Sequence, residues 1–258
     1  MQTSQKNQNM KSKNRDFRQV LDDVLVSLSN LNEKDFSEEV KGIIWKLGDT
    51  IRINSLIKDG KESDFIDFEK LPDIPGAEFL EPLIEGIREK KVLEIYYQPF
   101  YEEKPYFIRV HPYLLKEYHF RWYLIGLNET KREIRTYGLD RIWEVKSTNL
   151  LYIQKNFKSK DYFKNTVGII SPAGEPPRIR VEVLKPQAFY LITQPIHPSQ
   201  SIESEDETKI LFNYRVHPTY EFKALLLSLG SDIKVLEPAS LQGDIIKELK
   251  EAIRVYNI

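Results

Sequence analysis

Three phrases in the middle of the chain, IRVHPY (108–113), RWYLIG (121–126) and IRTYGLDRI (134–142), interleave Arg, His and Tyr with apolar residues. Read as strands, successive side chains alternate between faces. Arg109 and His111 then share one face, with Ile108 and Val110 on the other. Arg121, Tyr123 and Ile125 oppose Trp122 and Leu124. Arg135, Tyr137, Leu139 and Arg141 share a side if their strand runs unbroken, and Gly138 is the place for a bulge that would change the phase. A guanidinium turned into a small β-domain is costly unless an anion or a carboxylate meets it. Its planar fork suits a pair of phosphate oxygens, and Tyr and His rings offer stacking surface for bases.

The same residues have a plainer use. Arg109, Arg135 and Arg141 can pair with Glu94, Glu133, Asp140 or Glu144 on neighbouring strands. His111 before Pro112 suits a structural role, and Tyr97 and Tyr123 suit core packing. The basic stretch with Lys155, Lys158, Lys160 and Lys164 is either a solvated loop or a groove that tracks a phosphate backbone. Enzymatic chemistry has little to stand on. Phosphate-cradling glycine loops, Gly-x-Ser-x-Gly and His-Glu-x-x-His are missing, and there is no Cys. With 4 His in the chain a His-rich metal site is not expected. Asp140 with Glu144 is the one local carboxylate pair for a metal-dependent nuclease, the weakest reading. The expectation is a protein that is not an enzyme and takes no cofactor.

The elements that must position these residues follow from periodicity. Residues 1–14 are polar and aperiodic, a disordered tail. Residues 15–76 read as two amphipathic helices and an acidic linker: Phe17 to Leu31 keep one apolar stripe, and Val40 to Ile51 keep another behind an Asp35/Glu38 capping box. Residues 77–153 read as a helix and five short aromatic, β-branched strands, at 92–97, 106–113, 121–127, 133–139 and 141–146, hence a small antiparallel barrel. Residues 154–177 are a basic, then Gly/Pro-rich crossover linker. Residues 178–258 read strand–helix–strand–strand–helix–strand plus a closing helix, the order of a ferredoxin-like sandwich. That last helix, 240–256, should turn Leu241, Ile245, Ile246, Leu249, Ile253 and Tyr256 inward. The fold class is α+β.

Charge separates along the chain although the net charge is −1. Residues 58–103 carry 6 basic against 13 acidic side chains, and residues 104–171 carry 13 against 6. That is a local electropositive surface beside an acidic one, not a general polyanion binder. At 258 residues, 41% hydrophobic and 30% charged, with mean hydropathy −0.46, the composition is that of a soluble folded chain. It has no secretory h-region and no apolar run long enough to cross a membrane, so the expected location is the cytoplasm.

Trp122-Tyr123-Leu124, preceded by Arg109-Val110-His111-Pro112 and followed by Arg135 to Ile142, resembles the WYL domain. The stretch from Tyr162-Phe163 to Gly168-Ile169-Ile170-Ser171-Pro172, with the α+β unit after it, resembles the carboxy-terminal extension of WYL proteins. The resemblance covers roughly residues 65–258. It implies a five-stranded Sm-like barrel that senses a ligand in a bacterial transcription regulator. The implied effector is anionic, a short single-stranded nucleic acid or a nucleotide. By position, the implied ligand contacts are Tyr97, Arg109, His111, Tyr123, Arg135 and Arg141, with Trp122 and Leu124 in the core. The extension is implicated in homodimerisation. Relatives normally begin with a winged helix-turn-helix, a pattern that residues 1–57 do not show, so the expectation is a fragment or a sensor-only member that does not itself read duplex DNA. The alternative is a homodimerisation module that binds no ligand.

Overall fold

The structure is a computed structural model that describes residues 75–256. The tail at 1–14, the two amphipathic helices and most of the acidic linker expected before residue 75 lie outside the described residues. The first element is a 3-10 turn, Ala77–Phe79, that leads into α1, Leu80–Arg88. Five strands follow: β1 (Leu93–Tyr97), β2 (Tyr106–Tyr118), β3 (Arg121–Asn128), β4 (Ile134–Gly138) and β5 (Ile142–Ser147). They form one antiparallel sheet in the order β4-β3-β2-β1-β5. β4 and β5 are its edges, and no ladder joins them among the described residues, so hydrogen bonding does not close a barrel.

Alternation drives the packing. Leu93, Ile95 and Tyr97 of β1 face inward opposite Val110, Ile108 and Tyr106 of β2, and Leu83 of α1 covers them. Leu124 joins this core as expected, and Trp122 packs partly buried against it. In β3 both faces are covered, since Tyr123, Leu124 and Ile125 are all buried. Gly126 is what lets β2 and β3 close here, because a Cβ there would lie 2.5 Å from Val110 Cγ1 and 2.6 Å from the His111 carbonyl oxygen.

The strand expected to run from 133 to 139 stops at Gly138. Leu139–Arg141 make a 3-10 turn, which breaks the alternation that would have put Arg141 in line with Arg135. β2, by contrast, runs five residues beyond its expected end, to Tyr118. Past the end of β1 its flank is taken by the crossover. The Tyr113 hydroxyl donates to the Ile153 carbonyl (2.9 Å), and the Tyr152 hydroxyl donates to the Pro112 carbonyl (2.7 Å).

The crossover is not uniformly irregular, for it holds a short helix, α2 (Ser159–Phe163). Near its end Ile169 is fastened from both sides: the Thr136 hydroxyl donates to its carbonyl (3.1 Å), and its N–H donates to Glu221 Oε1 (3.3 Å). Gly168 sits at φ 93°, where an L side chain is strained, and a Cβ there would meet Glu221 Cγ at 2.5 Å.

The second sheet is built from β6 (Arg178–Leu184), β7 (Ser201–Glu205), β8 (Lys209–Arg215) and β9 (Ile233–Glu237), in the order β7-β8-β6-β9 and antiparallel throughout. Helix α3 (Lys185–Thr193) follows β6, α4 (Tyr220–Ser228) follows β8, and α5 (Ala239–Val255) closes the described chain. Ile179, Val181, Val183, Phe212, Tyr214, Phe222, Leu226 and Leu241 make its core. The Thr219 hydroxyl caps α4 by accepting from Phe222 N–H (3.3 Å) and donates to the Val167 carbonyl (3.1 Å).

The inward set expected for the last helix is only partly inward. Leu241 and Ile245 are buried, whereas Ile246, Leu249, Ile253 and Tyr256 are exposed. Length explains the difference for Ile253 and Tyr256, whereas Ile246 and Leu249 lie within the span of the sheet and are only half-covered. A helix of 17 residues is about 26 Å long, and the five-residue β9 beside it spans about 17 Å, so the later turns outrun the sheet.

Candidate ligand-binding site

Of the six residues suggested by sequence, three gather around Asp140. The Asp140 carboxylate accepts from Arg141 Nε (3.3 Å) on one oxygen and from Arg121 Nη1 (3.1 Å) on the other. The Arg141 guanidinium lies over two rings, 5.0 Å from the centroid of Phe100 and 5.6 Å from that of Tyr97. Tyr97 is buried edge-on against Tyr137, with centroids 5.3 Å apart, and burial pushes its phenol up to about 12 against the opposing pull of Arg141. Tyr123, paired in register with Gly138, is raised by burial while Arg121, Asp140 and Arg141 all act on its charge. Both phenols stay protonated at neutral pH and act there as hydrogen-bond groups.

Arg135 extends this region along β4. Its Nη2 is 2.7 Å from Glu133 Oε2, and its charge opposes the burial-driven rise of the Tyr106 and Tyr137 phenols. Tyr137 is anchored in turn by Asn128 Nδ2, which donates to its hydroxyl at 2.9 Å.

Arg109 and His111 have partners of their own. Arg109, across from Glu94 in the ladder, places Nε 3.2 Å from Glu94 Oε2 and Nη1 3.8 Å from Glu129. All three arginines therefore meet carboxylates, in the cross-strand and neighbour pairs that the acidic residues around them allow. His111 is fully buried. Its Nδ1 accepts from Ile153 N–H (3.0 Å), its ring stands edge-on to Tyr152 at 5.6 Å, and its Nε2 has no partner among the described residues. Burial lowers its pKa, so the neutral ring carries its proton on that unpartnered Nε2.

Sequence reasoning missed the loop between β1 and β2. Phe100 and Tyr101 are 75% and 85% exposed, and Tyr106 and Phe107 follow at the start of β2. Four aromatics within PFYEEKPYF, beside an arginine-rich sheet, were the available signal. Among the described residues no group of three or more His, Asp or Glu is arranged to hold a metal ion. Asp140 is engaged by its two arginines, and Glu144 pairs with Lys146 at 2.9 Å.

A second concave region lies where the crossover runs along β2. Tyr113, Phe157, Lys158 and Lys160 line a hollow of about 580 Å³, and a neighbouring one of about 310 Å³ shares Phe157 and Lys158 and adds Ile134 and Tyr162. The basic crossover thus forms one wall of a groove.

Comparison with known proteins places these parts. The WYL domain matches residues 78–147 and the WCX domain matches residues 175–253. No curated protein matches the chain. Among solved structures, proteasome accessory factor B/C (PafBC) of Arthrobacter aurescens is 16% identical, with a TM-score of 0.30, over 71% of this chain and 28% of that one. A CRISPR Cas-related protein is 16% identical, with a TM-score of 0.46, over 68% of this chain and 50% of that one. The chain spans half or less of the length of these structures. No helix among the described residues is long and apolar enough to cross a membrane. With the five-stranded sheet matched as one domain and the four-stranded sheet as the other, the chain belongs to the WYL-domain proteins and carries a WCX domain after its WYL domain.

Proposed function

We propose that this chain is the effector-sensing and dimerisation portion of a transcription regulator, and that it does no chemistry of its own. In this reading the five-stranded sheet is an Sm-like roll left open between β4 and β5. The β9-β6-β8-β7 order with two intervening helices supports a ferredoxin-like second domain. The effector is anionic and aromatic, a nucleotide or a short single strand, held at the arginine-bearing end of the WYL sheet. The observation that carries this is Arg141, stacked over the buried Tyr97 and the exposed Phe100. A cation beside an exposed aromatic ring can bind a phosphate and a base together. Occupancy would favour one placement of the loop and the 3-10 turn over others.

The test is calorimetric titration of nucleotides and short single strands into wild type and Arg135→Ala/Arg141→Ala. Heat lost in the double variant, with an unchanged circular dichroism spectrum, supports the site, and equal binding by both proteins refutes it.

One observation favours a second reading, a homodimerisation module without a ligand. Ile246, Leu249, Ile253 and Tyr256 recur at i, i+3, i+7 and i+10 on the exposed side of α5, a spacing that suits helix–helix packing. Sedimentation that shows a concentration-independent monomer would remove it.

A further inference from the structure

Residues 148–174 lie outside both domain matches, yet seven of them, 156–162, line the groove described above. What lines it is unusual in two respects. The first is a run of rings. Tyr113 and Phe157 lie 5.4 Å apart with planes tilted by 30°, and Phe157 and Tyr162 follow at 5.1 Å. Each of these rings is partly exposed rather than buried in the core. Tyr113 is fixed in place by its bond to the Ile153 carbonyl and by Lys155 N–H, which donates to its hydroxyl at 3.4 Å.

The second is unspent positive charge. Arg109, Arg135 and Arg141 each meet a carboxylate, but Lys158 and Lys160 of the groove form no ion pair among the described residues. Asp161 is the one carboxylate in the groove wall, so the surface there remains net positive. A phosphate that approaches the arginines must displace a carboxylate first, whereas one that approaches these lysines displaces only water and counterions.

We propose that this groove binds single-stranded nucleic acid, with bases against Tyr113, Phe157 and Tyr162 and phosphates at Lys158 and Lys160. Rings with ammonium groups beside them fit a strand whose bases are free to turn outward. A paired duplex hides those faces, and a plain polyanion would leave the rings unused. The two hollows share Phe157 and Lys158, so the path continues past one nucleotide. The inference shares with the sensor reading only the class of ligand, and it moves recognition to residues that neither domain match contains, apart from Tyr113.

The experiment titrates a fluorescein-labelled oligothymidylate with the whole chain across a salt series and follows anisotropy. Three proteins are compared: wild type, Lys158→Gln/Lys160→Gln, and Arg135→Ala/Arg141→Ala. Each phosphate contact on a single strand contributes about 0.7 to the slope of log K against log salt, so the lysine variant should lose about 1.4 of that slope. The arginine variant should keep it. Photo-crosslinking from a thiouridine-bearing strand should map to peptides that carry Phe157 and Tyr162. Wild-type binding by the lysine variant overturns the proposal. If only the arginine variant loses binding, the sensor site stands and the groove falls. If an abasic strand of equal charge competes as well as the oligothymidylate, the rings have no role and the proposal is refuted. If wild type does not bind the strand at all, the groove falls, while calorimetry with free nucleotides still judges the arginine site.

Discussion

His111 should make the stability of this protein depend on pH, and the structure fixes the sign. The ring is fully buried, its Nδ1 already accepts the Ile153 N–H, and burial lowers its pKa from 6.5. A proton on Nδ1 would set two donors against each other, so the folded state refuses a proton that the unfolded chain accepts. Where the unfolded state binds more protons, stability rises with pH. The contribution is therefore complete above about pH 6.5 and is lost as pH falls below it, by up to about 1.4 kcal/mol per pH unit. His197, whose pKa burial also lowers, acts in the same window and in the same direction. The lowered carboxylates Glu203 and Asp206 release their share only at lower pH, below the ordinary range of Asp and Glu.

The perturbation is His111→Leu. It removes an acceptor from Ile153 N–H, a cost of about 1–3 kcal/mol, but it also removes the unpartnered Nε2–H, whose burial cost is of the same order. Near pH 8 the two terms offset, and the variant should lie within about 1 kcal/mol of wild type by urea denaturation. Between about pH 6.5 and 5.5 wild type should lose roughly twice as much stability as the variant, which retains only His197. An identical pH dependence in both proteins, or a His111 ring that titrates near 6.5 by NMR, would refute the reasoning.

Three further outcomes follow from packing. Gly126→Ala should lower stability by about 1–3 kcal/mol or more, because its Cβ meets backbone at the β2–β3 crossing that cannot swing aside; a Tm within a degree of wild type would contradict this. Thr219→Ala removes the α4 cap and the bond to Val167, and chemical denaturation should register a loss of about 1–2 kcal/mol. On α5, Leu241→Ala should cost about 2–5 kcal/mol in a urea melt while Leu249→Ala stays within about 0.5 kcal/mol, and equal effects would mean that the exposed stripe is covered.

How much of this was legible in the sequence depended on the range of the forces involved. Strand positions rest on local alternation and turn residues, and both sheets follow them closely. The 3-10 turn at Leu139–Arg141 was only half visible: Gly138 marked a break but not its form. The carboxylate partners of Arg109, Arg135 and Arg141 were nameable because they sit one or two residues away or directly across a ladder. The state of His111 was not legible, since its burial and its one hydrogen bond come from Ile153, 42 residues later. The outward turns of α5 were misread for a similar reason. Periodicity shows that a helix has an apolar stripe, but the length of the neighbouring strand decides how much of it is covered. The crossover groove was foreseen only as lysines, and the rings beside them come from β2, from Phe157 in the crossover and from a short helix that local pattern did not reveal.

The fastening of Ile169 has a mechanical consequence. One residue is riveted to the WYL sheet through its carbonyl oxygen and to the WCX domain through its N–H, so it divides the crossover into a long basic strap and a short proline-bearing one. Tension that arises in the long strap reaches the rivet before it reaches β6. There it loads Thr136 on β4 and Glu221 at the head of α4, after the Asn165 and Val167 carbonyls, held by His217 N–H (2.9 Å) and the Thr219 hydroxyl, have taken the first share. The short strap is shielded from that load until one of the two bonds gives way. The two domains are thus joined less like beads on a string than like plates sharing a pin, and slack in the crossover ends between Asn165 and Ile169.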